Sequence, residues 1–155
     1  MKSEDVVLEI GIGTGRLARK VASECKRLYG IDFSKKTIER AKENLQEYDN
    51  ISYICSDFME YNFKEKFDVV YSSLTLMHIK EKRDFYKKVY GVLKENGRFI
   101  VSIDKNQTNW LDMSEYQVKL YPDTFGQTIE DIRLAGLAIS KHFETESAYI
   151  FVCKK

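Results

Sequence analysis

The stretch Val6-Val7-Leu8-Glu9-Ile10-Gly11-Ile12-Gly13-Thr14-Gly15 constrains this chain more than any other. An apolar run with one carboxylate feeds three glycines at alternate positions. Leu17, Val21 and Cys25 then follow at four-residue spacing, with Ala18 and Ala22 beside them. That order predicts a strand, a tight turn and an amphipathic helix. Glycine has no Cβ, so such a turn can take positive φ and its backbone can approach a ligand closely. The start of the helix leaves unpaired N–H groups and a partial positive charge. The loop is therefore suited to holding a polar or anionic group against backbone amides.

The same unit repeats along the chain. Leu28 to Asp32 reads as a second strand ending in a carboxylate, and Ser34 as the N-cap of a helix with Ile38, Ala41 and Leu45 on one face. Ile51 to Cys55 reads as a third strand and Phe67 to Leu74 as a fourth. A helix carrying Phe85, Val89, Val92 and Leu93 is expected to stop at Asn96-Gly97, before a fifth strand over Arg98 to Ile103. Strands that alternate with helices this closely predict parallel pairing through right-handed crossovers, with helices on both faces of the sheet. In such sheets ligands gather at the carboxyl ends of the strands, where strand order reverses. Gly11 to Gly15, Asp32, Asp57 and Ser72 all fall at those ends.

The remainder differs. Residues 104–127 form a long connection containing Trp110, Tyr116, Tyr121, Phe125 and the single proline, Pro122, with room for one short helix. Thr128-Ile129-Glu130-Asp131 matches a capping box for a helix that runs to about Ala135 and ends at Gly136. Leu137 to Phe143 and Ala148 to Cys153 read as a closing hairpin around a turn at Glu144 to Ser147.

Bulk properties narrow the function. A chain of 155 residues with 43% apolar and 32% charged side chains fits one globular domain, residues 1–155. Its net charge of +1 offers no general attraction to nucleic acid or to an anionic membrane surface. The three cysteines, Cys25, Cys55 and Cys153, each sit in an apolar pattern and read as buried free thiols of a reducing compartment. With His78 and His142 the only histidines and no paired cysteines, no metal site is expected. The N-terminus lacks a signal-peptide core and no run of ~18 apolar residues occurs, so a cytoplasmic protein is expected.

Two cofactors use an apolar strand, a glycine turn and a carboxylate after the second strand. One is a dinucleotide, for which Gly13, Gly15 and Ala18 supply the weaker GxGxxA form. The other is S-adenosylmethionine. The segments VLEIGIGTGRLA (Val7–Ala18), YGIDFS (Tyr29–Ser34), CSDF (Cys55–Phe58), FDVVYSSLTLMHI (Phe67–Ile79) and VLKENGRFIVSI (Val92–Ile103) resemble, in order and spacing, the class I methyltransferases, and within them the small-molecule branch of ubiquinone and menaquinone biosynthesis. The resemblance implies a Rossmann-like doubly wound sheet of seven strands, mostly parallel, with an antiparallel last strand.

It also implies roles. Gly11, Gly13 and Gly15 would pass the methionyl part of the cofactor. Glu9 would pin the glycine-loop amides and face the ammonium. Asp32 would accept both ribose hydroxyls, Phe33 would pack on the adenine, and Asp57 with the Phe58 backbone N–H would read the base. Ser72 would offer its carbonyl to the ammonium, and His78 is the candidate general base. The reaction implied is methyl transfer from S-adenosylmethionine to a small-molecule acceptor, leaving S-adenosylhomocysteine. The rivals are a nicotinamide-dependent oxidoreductase and a non-catalytic S-adenosylmethionine-binding module completed by a partner. Family members carry several dozen residues before the first strand and here only Met1 to Asp5 do. The expectation is a shortened domain whose cofactor site is open on the acceptor side, with exposed apolar residues from 105–126, including Trp110 and Tyr121, covered by a second copy or a partner chain.

Overall fold

The computed structural model describes residues 1–105, 108–113 and 116–155. The first strand, β1 (Val6–Ile10), passes through the glycine loop into a short helix, α1 (Ala18–Ala22). Then follow β2 (Arg27–Asp32), α2 (Lys35–Asn44), β3 (Ile51–Cys55) and β4 (Phe67–Ser73). A single 3-10 turn, Leu76–His78, leads to α3 (Lys82–Val92) and the long strand β5 (Leu93–Asp104). After β5 come β6 (Trp110–Met113), β7 (Tyr116–Lys119), α4 (Phe125–Leu134), β8 (Ala138–Glu144) and β9 (Ala148–Lys154).

Seven of these strands form one sheet in the order β3-β2-β1-β4-β5-β9-β8. Pairing is parallel from β3 through β5, and β9 lies antiparallel between β5 and β8. This is the doubly wound architecture that the alternation of units predicts. Strand order reverses between β1 and β4, which pair through Val7–Val69 to Ile10–Ser72. The glycine loop leaves the carboxyl end of β1 at that crevice.

Alternate side chains of the central strands supply two cores. Leu8, Ile10, Val70, Phe99 and Val101 pack with Phe85, Tyr86 and Val89 of α3 and Ile132 of α4. Val7, Val69 and Tyr71 pack on the opposite face with Ala18 and Ala22 of α1 and Ile38 and Leu45 beside α2. Each large apolar side chain buried this way contributes roughly 1.5–3 kcal/mol, which outweighs the weak helical propensity of such short helices.

Several boundaries differ from the sequence expectation. The first helix is one turn long, because Gly13 to Leu17 wind as turns, although Cys25 is still buried. The third helix ends at Val92, before Asn96-Gly97. Lys155 Nζ takes the carbonyls of Tyr90 and Leu93 at 3.0 and 3.1 Å, capping the helix end from the far terminus. The fourth helix is capped by Thr124, whose side chain accepts from Gln127 N at 3.3 Å, so Thr128 lies inside the helix and is buried. Cys25 and Cys153 are buried, but Cys55 is exposed, because β3 is an edge strand. The 104–127 connection contains no helix before Phe125 in its described part. It forms the two-stranded ribbon β6–β7 outside the main sheet, while its residues 106–107 and 114–115 lie outside the described residues.

Candidate functional site

The glycine loop is held from below by β2. Gly11 N and Ile12 N both donate to Ile31 O, at 2.8 and 3.1 Å. Gly13 N donates to Asp32 Oδ2 at 3.1 Å, and Ser34 N donates to Asp32 Oδ1 at 3.0 Å. One carboxylate thus ties the glycine loop to the start of α2, where Ser34 caps the helix by accepting from Thr37 N. Each carboxylate oxygen keeps lone-pair capacity beyond its backbone bond.

The three glycines have different surroundings. All have positive φ: +75 at Gly11, +56 at Gly13 and +89 at Gly15. A Cβ on Gly11 would lie 2.2 Å from Thr75 Oγ1, and one on Gly15 would lie 2.5 Å from Leu45 Cδ1. A Cβ on Gly13 would meet nothing within 4 Å. Gly11 and Gly15 are therefore required by the fold, while Gly13 borders open space, which is the side a ligand would occupy.

The other predicted residues lie at or just past the carboxyl ends of β2, β3 and β4. Phe33 is 75% exposed at the end of β2, which rules out a core role for its ring. Asp57 is exposed just after β3, and its Oδ1 accepts from Met59 N at 2.7 Å, so it shapes its own turn as well as facing outward. The Phe58 ring is buried against Phe63 and Phe85, leaving only its backbone for a ligand. Ser72 is buried and donates its hydroxyl to Ile10 O at 3.1 Å, joining β4 to β1 at the reversal point. Just beyond it, Leu74 is held at φ +55, a costly conformation for a branched residue.

Glu9 departs from its expected bonding. The amides of Gly11, Ile12 and Gly13 are taken by Ile31 and Asp32, and none of them bonds Glu9. Its Oε2 instead accepts from the Tyr71 hydroxyl at 2.7 Å, across the β1–β4 pair. Glu9 is 3% exposed and Tyr71 8%. Burial pushes the Glu9 carboxyl up to about 8, with the nearby Asp32 charge adding to the rise and Tyr71 and Arg16 opposing it. Burial likewise pushes the Tyr71 phenol up, helped by Glu9. Sequence reasoning missed Tyr71. Its signal was a tyrosine inside the apolar run of β4, as Glu9 is a carboxylate inside that of β1.

His78 closes the 3-10 turn after β4 and is exposed. The protein packed around it lowers its proton affinity, as does the Lys82 ammonium, while Asp32 opposes them. The turn is braced by Lys82, also missed from sequence. Its Nζ donates to Leu76 O and to Tyr121 O, and pairs with Asp123 Oδ1 at 2.9 Å. Tyr121 N donates to Met77 O at 2.8 Å. These bonds seat the segment following β7 against the His78 turn and leave Tyr121 half-buried. Trp110 on β6 is 53% exposed.

Comparison with known proteins matches residues 8–101 to the family described as "Methyltransferase domain". Among curated proteins, malonyl-[acyl-carrier protein] O-methyltransferase 1 of Ilyobacter polytropus is 27% identical over 124 residues, covering 79% of this chain and 46% of that protein. The chain thus spans about half the length of that relative. A solved S-adenosylmethionine-dependent methyltransferase from Listeria monocytogenes superposes with a TM-score of 0.87 at 21% identity, over 99% of this chain and 92% of that one. N-methyltransferase NodS from Bradyrhizobium japonicum, solved with S-adenosyl-L-homocysteine, superposes at 0.77 with 19% identity, over 98% of this chain and 79% of that one. No helix among the described residues is long and apolar enough to cross a membrane.

Proposed function

The chain belongs to the methyltransferase-domain family, the class I S-adenosylmethionine-dependent methyltransferases, and from that premise we propose that it binds S-adenosylmethionine at the β1–β4 crevice and transfers its methyl group to a small-molecule acceptor. The observation that supports this reading best is the bracket made by Asp32. It holds Gly13, at positive φ, with open space where a Cβ would stand, and the exposed Phe33 follows it in the chain. The residues present fit the cofactor. Asp32 can accept two ribose hydroxyls, Phe33 offers an apolar face to the base, Asp57 and the Phe58 N–H lie at the next strand end, and Glu9 and the Ser72 carbonyl lie under the loop for an ammonium. Gly11 and Gly15 keep the loop in shape for that contact.

The cofactor supplies an already activated methyl group when bound. The protein's task is then to position the acceptor and exclude water rather than to activate a nucleophile strongly. We assign His78 to the acceptor side. Its proton affinity lies below the ordinary histidine value, so at pH 7 it is neutral and able to accept a proton from an acceptor hydroxyl or amine. The named relatives methylate different kinds of atom, so the acceptor is inferred as a small molecule and no further.

Asp32→Ala tests the site directly. It removes a charged acceptor for two hydroxyls, at roughly 1.5–3 kcal/mol per charged hydrogen bond, so S-adenosylhomocysteine should bind at least about tenfold more weakly. Calorimetric titration measures this, with circular dichroism to confirm folding. Equal affinity in a folded variant would remove Asp32 from the site, and preferential binding of a nicotinamide dinucleotide would reinstate the oxidoreductase reading.

The β6–β7 ribbon carries a second proposal. Leu111 pairs with Val118 and Met113 with Tyr116, which puts four apolar side chains on one face of a two-stranded ribbon, and Leu111, Met113 and Tyr116 are exposed. Isolated ribbons of this kind gain little stability without cover. We assign that cover to a second copy of the chain or to a partner chain. Sedimentation of the protein alone should then show a concentration-dependent dimer that Met113→Lys abolishes. A strict monomer at millimolar concentration that turns over rapidly with its cofactor fully buried would overturn this assignment and make the 105–126 connection itself the cover.

A further inference from the structure

The Glu9–Tyr71 pair joins β1 to β4 at the crevice proposed for the cofactor, and its burial favours a proton over a charge. Glu9 is a carboxyl with almost no solvent contact. Among the described residues it has one hydrogen bond, from a neutral phenol at 2.7 Å, and no ion pair. A buried carboxylate with so little compensation is costly, and the group stays neutral instead. The charged and titratable groups around it do not supply the missing cation. Asp32 at the end of β2 is a second carboxylate, Cys25 shares a core cluster with Tyr71 and its thiol donates to Ala22 O, and Arg16 in the glycine loop is exposed. His78, across the crevice, is neutral at pH 7. Tyr71 occupies Oε2 and leaves Oε1 without a donor among the described residues.

We propose that ligand binding at this site is proton-linked: Tyr71 orients Glu9 as a neutral acid in the free protein, and docking of a ligand ammonium converts it to a carboxylate with release of its proton to solvent. The balance is simple. The ligand arrives with its ammonium already charged, the Glu9 O–H bond breaks, the proton leaves to bulk buffer, and a buried ion pair replaces a buried acid. Tyr71 keeps its own proton throughout and acts as a positioning residue. This inference rests on the cofactor reading above. It further implies that affinity is low in acid and rises through neutral pH, independently of any acceptor.

The probe is S-adenosylhomocysteine, which carries the amino-acid ammonium without the sulfonium. Titration at pH 7 in phosphate and in Tris, whose ionisation enthalpies differ, counts protons. The expected result is release of close to one proton per site, with affinity rising roughly 30- to 50-fold between pH 6 and pH 8 as a group titrating near 8 loses its proton. Glu9→Gln should bind with no proton release and a flat pH profile. Tyr71→Phe removes the bond that favours the carboxylate, so its profile should move to higher pH and its affinity at pH 7 should fall below that of the wild type. Binding without proton exchange in the wild type would overturn the proposal. So would unchanged release in Glu9→Gln, which would place the proton on His78 or Asp32. Failure of the wild type to bind S-adenosylhomocysteine at any pH would instead defeat the cofactor reading itself, and this inference with it.

Discussion

Glu9→Gln should make the free protein more stable than the wild type at pH 9 by about 3–5 kcal/mol relative to the difference at pH 4, the largest single-site effect expected in this fold. The folded protein raises the Glu9 carboxyl from 4.5 to about 8. Folding therefore favours the protonated form. Its stabilising contribution is fully present below the unfolded value and is lost as pH rises through about 8. Each tenfold gain in proton affinity corresponds to about 1.4 kcal/mol, so a rise of this size amounts to several kcal/mol, a large fraction of the roughly 5–15 kcal/mol that holds a domain together. Glutamine keeps the shape and still accepts from the Tyr71 hydroxyl but cannot ionise. Urea unfolding of both proteins at pH 4, 6, 8 and 9 measures the effect. Parallel stability curves would show that the fold leaves Glu9 with its ordinary proton affinity, and would overturn its assignment as a buried neutral acid. Saturating ligand should shrink the difference, because a bound ammonium stabilises the wild-type carboxylate and not the amide.

Alanine at Gly11 and at Gly13 should separate the structural glycine from the ligand-facing one. Both positions are in the left-handed region, where a Cβ costs about 1 kcal/mol. At Gly11 the new atom also stands 2.2 Å from Thr75 Oγ1 and 3.0 Å from Thr75 Cβ, and Thr75 cannot withdraw freely because its hydroxyl donates to Ser73 O and Ile10 O. Overpacking there adds roughly 1–3 kcal/mol, so Gly11→Ala should lose about 2–4 kcal/mol. Gly13→Ala should lose only the backbone cost, since nothing lies within 4 Å of its Cβ. Its effect should appear on S-adenosylhomocysteine affinity, which should fall more than tenfold as the methyl group enters the ligand's space. Denaturation curves and calorimetric titration of both variants give the two axes. Wild-type affinity in Gly13→Ala would mean that the open space above the loop is bulk solvent and not the cofactor's position.

The contrast between these glycines shows how far the sequence could be read. Three alternating glycines after an apolar strand announce a tight turn before a helix, and that turn is present. Their division of labour is invisible in sequence, because Thr75 and Leu45 reach Gly11 and Gly15 from other elements. Asp32 was legible as a carboxylate at a strand end. That it also fastens the loop, by accepting from Gly13 N, follows from the approach of β1 and β2 in three dimensions. The capping threonine of α4 was misplaced by one turn for a similar reason. Thr124 and Thr128 are both good caps locally, and burial of Thr128 against the core selects the earlier one. The shape of the 104–127 connection was illegible, since a four-residue ribbon such as β6–β7 has too short a period to stand out among aromatic and polar residues.

The alternation of strands and helices, the position of the glycine loop and the carboxylates at strand ends are each written in residues within a turn or two of one another. Amino-acid order was therefore enough to set them, and with them the family. Which distant residues share a boundary came only from the folded chain. Glu9 meets Tyr71 and Ser72 meets Ile10 across 62 positions, and Lys82 joins Leu76 to Asp123. Such contacts depend on sheet register and on which face of a strand points inward, and a slip of one residue would reverse them. The raised proton affinity of Glu9 is a consequence of that register, since the assembled sheet removes its carboxyl from water.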